Sequence, residues 1–128
     1  MVKTTIFFCG LSKNCYDTVK KNYEFLDEFV KYTSFNNVSV ITIDSDSNDG
    51  SKEYLNNFSI EYSFANNINA DGLEKIYKSR IERIAYCRNL CLEYIYQNSS
   101  EGSIIYIPLD LDIDLFKHIT VSDFENLI

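Results

Sequence analysis

The chain has no tryptophan, and proline, histidine and methionine occur once each. Glycine is sparse at four residues. No proline-rich linker, low-complexity segment or internal repeat is present. The single histidine, His118, has no serine or cysteine partner signalled nearby, so a histidine-based catalytic unit is not expected. Cys9, Cys15, Cys87 and Cys91 lack paired Cys-x-x-Cys spacing, which argues against zinc. All four are read as reduced thiols of a cytosolic chain. Positive charge is scarce. Twelve Lys and Arg face nineteen Asp and Glu, for a formal net charge of −7. That balance excludes the basic stripe of a nucleic-acid-binding surface. It leaves nucleotides open, because a few placed arginines and a metal hold phosphates. No run approaches the ~18 apolar residues of a membrane span. Met1-Val2-Lys3 is followed by too short an apolar run for a signal peptide, so the expected location is cytoplasmic. The glycine-rich phosphate loops and the G-x-S-x-G elbow are also missing.

What is present is a core. Apolar residues make up 45% of 128, with ten Tyr and nine Phe. One domain over residues 1–128 is expected. Thr4–Gly10 reads as a buried strand, and Asp17–Tyr32 as a helix with Val19, Tyr23, Leu26 and Val30 on its inner face. Val38–Ile43 reads as a second strand, Ser51–Asn57 as a short helix, and Ile60–Phe64 as a third strand. Ala65–Gly72 reads as a polar loop. Leu73–Gln97 reads as helix with a break near Ser79, then a turn over Gln97–Gly102. Ser103–Leu109 is the fourth strand, and Asp114–Ile128 begins another helix. Alternating strand and helix predicts an α/β fold: a mostly parallel sheet flanked by helices.

Three constellations carry chemistry. The first is Ile104–Ile113, an apolar run ending in Asp110-Leu111-Asp112. A strand core does not need those carboxylates. At the carboxyl end of a parallel strand they lie where open α/β sheets bind ligands. Both point to one side of an extended segment, and they repel unless a cation lies between them. Mg²⁺ or Mn²⁺ suits such ligands. A solvated strand end with a capping aspartate is the structural alternative. The second is the loop Asp44-Ser45-Asp46-Ser47-Asn48-Asp49-Gly50, which opens on the same sheet edge. Ser47 or Asp49 is expected to cap the next helix. Leu55 stands where a calcium loop counted from Asp44 needs glutamate. The third is Arg88, placed amid a stripe of Ile81, Ile84, Ala85, Leu92 and Ile95. A buried arginine needs a partner, either a carboxylate such as Asp44 or Asp110 or a ligand phosphate. Arg80 and Arg83 lie off that stripe.

Taken in order, these segments resemble the nucleotide-sugar-binding half of a GT-A glycosyltransferase. Ile43–Ser51 is similar to the strand-two loop of family-two-like enzymes. Arg83-Ile-Ala-Tyr-Cys-Arg-Asn89 resembles the helix with an Arg-Asn pair before their metal strand, and Ile104–Ile113 resembles the Asp-x-Asp strand itself. The Arg-x-x-x-x-Arg-Asn pattern, followed by Asp-Leu-Asp, is also similar to the cryptococcal-type capsule mannosyltransferase group. The resemblance implies a Rossmann-like donor-binding fold and a nucleoside diphosphate sugar held with Mn²⁺ or Mg²⁺. It implies that Asp44, Asp46, Arg88, Asn89 and Asp110 line the donor site, and that Asp110 and Asp112 hold the metal. Within it, Asp44 holds base or ribose, Arg88 braces phosphates or acidic loops, and Asn89 supports the site through its amide. The acceptor, a glycan, lipid or protein, is unspecified. Departures are Asp46, where the family keeps a small residue, and Pro108 within the acidic strand. The acceptor half is absent from this sequence, so it reads as truncated and no catalytic base is assigned. Two readings compete: a non-catalytic domain whose acidic edge meets a basic partner, and a haloacid dehalogenase-like phosphotransferase, which also carries Asp-x-Asp after an apolar strand.

Overall fold

The computed structural model describes residues 3–99 and 102–128. Four strands form one sheet: β1 (Thr4–Ser12), β2 (Asn37–Asp44), β3 (Ala65–Asn69) and β4 (Ser103–Asp110). Their order is β3-β2-β1-β4, and every pairing is parallel. The architecture is α/β and Rossmann-like, with helices on both faces. Helices α1 (Tyr16–Tyr32), α2 (Ser51–Glu61) and α5 (Val121–Leu127) cover one face. Helices α3 (Leu73–Ile76) and α4 (Arg80–Asn98) cover the other. No described helix is long and apolar enough to cross a membrane.

The strand period of two sorts β1 between the layers. Ile6 and Phe8 face Val19, Tyr23, Leu26 and Phe29 of α1. Phe7 and Cys9 face Cys87, Cys91 and Ile95 of α4. On α1, Phe29 is buried where Val30 was expected, and Val30 is half-buried. The aromatic layer includes a stacked Phe25–Phe116 pair, with ring centroids 4.1 Å apart. The break near Ser79 is present, and the last helix starts at Val121 behind a capping box of Thr120 and Asp123. Part of the turn expected over Gln97–Gly102, residues 100 and 101, lies outside the described residues.

Two expectations are corrected. The third strand is Ala65–Asn69, not Ile60–Phe64, and α2 runs on through Glu61. This edge strand is built by its backbone ladder to β2, so its side chains stay polar. Asn67 donates to the Asn56 side chain at 2.7 Å instead of entering the core. The second correction is the phase of α4. Cys87, Cys91 and Ile95 face the sheet, while Ile81, Leu92 and Arg88 are exposed. Burying an unpaired guanidinium costs more than exposing two aliphatic side chains, so the helix is rotated to keep Arg88 wet.

Candidate functional site

Parallel pairing places every strand's carboxyl end on one edge. Ser12 is in register with Asp44, Asp44 with Asn69, and Leu11 with Asp110. The loops leaving this edge are cross-linked by hydrogen bonds. The Ser45 amide donates to the Ser12 carbonyl at 3.0 Å. The Asn14 amide donates to the Ser47 hydroxyl at 2.9 Å, and the Asn48 amide to the Asn14 side chain at 2.7 Å. Asn14 and Asp46 have positive φ, a conformation that Asn and Asp tolerate better than most residues.

Asp44 ends β2 and is fully buried. Its Oδ1 accepts from the Ser47 hydroxyl at 2.6 Å, while Oδ2 has no hydrogen-bond partner. Burial pushes its carboxyl above the ordinary value, against the pull of the Ser47 and Ser12 hydroxyls. Asp46 is turned into the loops. Its amide donates to Asp71 at 2.9 Å, and its carboxylate accepts from the Gly72 amide at 2.7 Å. The N-cap of α2 is Gly50, not Ser47 or Asp49 as anticipated; Asp49, one residue earlier, accepts from the Ser51 amide at 3.1 Å. It also accepts from the Tyr16 amide at the start of α1 at 3.0 Å, a role the sequence does not signal.

A cleft of about 640 Å³ opens at the carboxyl ends of β1 and β4 beneath the start of α4. Lys13, Arg80, Arg83 and Arg88 line it together with Asp110 and Asp112. Arg83 is partly occupied, since its guanidinium donates to the carbonyls of Tyr77 and Lys78, both at 3.0 Å. Among the described residues neither Arg80 nor Arg88 is in an ion pair, so the pairing expected for a buried Arg88 is not formed. Both lie close enough to Asp110 to draw its carboxyl down. The larger influence is opposite: the neighbouring Asp112 carboxylate raises Asp110 above its ordinary value.

The segment bearing Asp112 is held from α1. The Thr18 hydroxyl donates to the Leu111 carbonyl at 2.6 Å. The fully buried Asn22 amide donates to the Ile113 carbonyl at 2.9 Å, and its oxygen accepts from the Leu115 amide at 3.0 Å. Gly10 leaves room for Leu111: a Cβ there would come within 2.6 Å of the Leu111 side chain.

Of the residues singled out from sequence, Arg88, Asp110 and Asp112 meet in the cleft. Asp44 is enclosed within the fold and Asp46 braces the loops. Asn89 is exposed and does not line the cleft. Lys13 is the cleft residue that sequence reasoning missed, for a single lysine after a strand carries no signal. Cys15 and Cys87 also reach the cleft, but burial raises both thiols, Cys87 to about 11, so neither is a thiolate at neutral pH. Among the described residues no group of three or more His, Cys, Asp or Glu is gathered to hold a metal. The Asp110–Asp112 pair nevertheless suits the protein's share of a Mg²⁺ or Mn²⁺ site, in which phosphates and waters complete the shell. Comparison with protein-family models, curated proteins and solved structures finds no match.

Proposed function

We propose that the cleft binds the diphosphate of a nucleoside diphosphate sugar together with a divalent cation, as a glycosyltransferase-like donor site. One observation carries this reading. Four of the twelve cationic side chains of a −7 chain gather around one cleft that Asp110 and Asp112 also line. Arginines without partners offer planar forks to phosphate oxygens. Asp110 and Asp112 would hold the cation, which neutralises charge on the diphosphate leaving group. Lys13, Arg80 and Arg88 would grip the phosphate oxygens. Asp44 is buried and does not itself line the cleft, although its neighbours Ile43 and Ser45 do. Its unpartnered Oδ2 is the acceptor a base or ribose would use if the loop moved aside. Asn22 and Thr18 fix the backbone that carries Asp112.

The test is calorimetric titration of UDP and GDP in Mn²⁺, repeated with a chelator. Binding that the chelator abolishes supports the reading and selects the nucleotide. No heat in either condition removes it and favours an interaction domain that meets its partner through an acidic edge.

A further inference from the structure

Residues 70–79 cross the carboxyl edge of the sheet beside the cleft. They are thinly anchored. Leu73 is their one fully buried side chain, and Ile76 is 68% exposed. Ala70 and Tyr77 pack partly buried against the same cluster as Leu73, and polar contacts hold the rest. Lys52 pairs with Asp71 at 2.6 Å, and Asp46 accepts from the Gly72 amide. Arg83 holds the carbonyls of Tyr77 and Lys78 through one nitrogen, leaving its other donors free. The remaining clasp is an ion pair of Lys13 with Glu74. Lys13 is therefore shared: it lines the cleft and also answers a carboxylate on α3.

We propose that Glu74 is a built-in competitor for the cleft's anion, occupying Lys13 until a phosphate takes its place and frees the strap of residues 70–79. This rests on the diphosphate reading of the cleft. A carboxylate and a phosphate offer the same kind of acceptor oxygen, and a lysine ammonium is a point charge that accepts either. Both members of the pair are substantially exposed, so the contact is weak and exchangeable. A divalent anion that also meets Arg80 and Arg88 outcompetes a single carboxylate. Once Glu74 is released, the front of the strap is held by Leu73, by the Ala70 amide donating to the Asp44 carbonyl, and by the Asp46 and Asp71 contacts.

The probe is inorganic pyrophosphate at low ionic strength, with heat of binding and tryptic cleavage after Lys75 and Lys78 read on the same samples. Glu74→Gln should bind pyrophosphate about fivefold more tightly than the parent, the scale of one exposed ion pair. Pyrophosphate should speed cleavage of the parent after Lys75 and Lys78 by a similar factor, and the Gln variant should start near that faster rate. Glu24→Gln, on the helix layer across the sheet, removes the same charge and should change neither reading. Cleavage after Lys20 and Lys21 in α1 reports general unfolding and should stay constant. If parent and Gln variant bind equally and the strap is cut no faster, the competition is wrong and the anion site stands. If neither variant binds pyrophosphate, the anion site falls and this proposal with it.

Discussion

Asp49 and Tyr16 meet across 33 residues of sequence, carboxylate Oδ2 accepting the Tyr16 amide at 3.0 Å. The other oxygen of Asp49 accepts from Ser51, both its amide at 3.1 Å and its hydroxyl at 2.5 Å. One side chain thus accepts the first amide of both α1 and α2 and ties the loops after β1 and β2 together. Those hydrogen bonds hold the carboxyl below its ordinary value although desolvation opposes them. Asp49→Ala should cost about 1–2 kcal/mol, the upper range for a helix cap, because two helix starts lose their acceptor. Urea unfolding at neutral pH measures it. The stabilisation of a depressed carboxylate is lost as pH falls through its folded value, so the difference between parent and variant should shrink in acid.

Asp112→Asn should abolish metal-dependent nucleotide binding and leave the fold intact. Asp112 is exposed, so an amide there disturbs no core contact. The variant should lose the heat of UDP or GDP binding in Mn²⁺ while its far-ultraviolet circular dichroism and melting temperature stay at parental values. Parental binding by the variant sinks the metal role of this pair.

Arg80→Ala and Arg88→Ala should each weaken nucleotide binding about tenfold, in line with losing one charge-assisted hydrogen bond. Both should also flatten the dependence of affinity on salt, measured by titration at low and physiological ionic strength. Arg83→Ala should act differently. It frees the carbonyls of Tyr77 and Lys78, so the loss of affinity comes with a lower melting temperature.

Asp44→Asn addresses the buried carboxyl. Its folded value is raised by burial, so the stability it brings when protonated is present below the ordinary 3.8 and is lost as pH rises through the raised value. An amide carries no charge to lose. The Asn variant should match the parent in acid and gain on it toward neutrality, provided the Ser47 hydrogen bond is kept. Thermal melts at acid and neutral pH read the divergence directly.

The alternation of strand and helix was legible because short runs rich in β-branched and aromatic residues and buried on both faces, such as Ile6–Cys9 and Val40–Ile43, read as parallel strands. The polar edge strand Ala65–Asn69 was not, since a strand with one open side needs little apolar content. The phase of α4 was missed for a related reason. It packs against the sheet chiefly at β1 and β2, so exposed Ile81 and Leu92 mimic a buried stripe. The carboxylate pair at the end of β4 could be placed from its spacing. Lys13 could not, because its position at the cleft comes from parallel pairing and not from any local pattern.

The two hydrogen bonds of Asn22 have a consequence for how variants of this chain would be scored. Asn22 sits on α1, across the sheet from α4, yet it grips the backbone on both sides of Asp114. Removing its amide by Asn22→Ala leaves a part-buried donor and acceptor without their partner and should cost about 1 kcal/mol. The first backbone set loose would be the one that carries Asp112. A random-mutagenesis screen for lost nucleotide binding would therefore return Asn22 among its hits, beside residues at the cleft. Mapped onto the sequence alone, that hit would look like a second site ninety residues upstream, when it is the splint of the first.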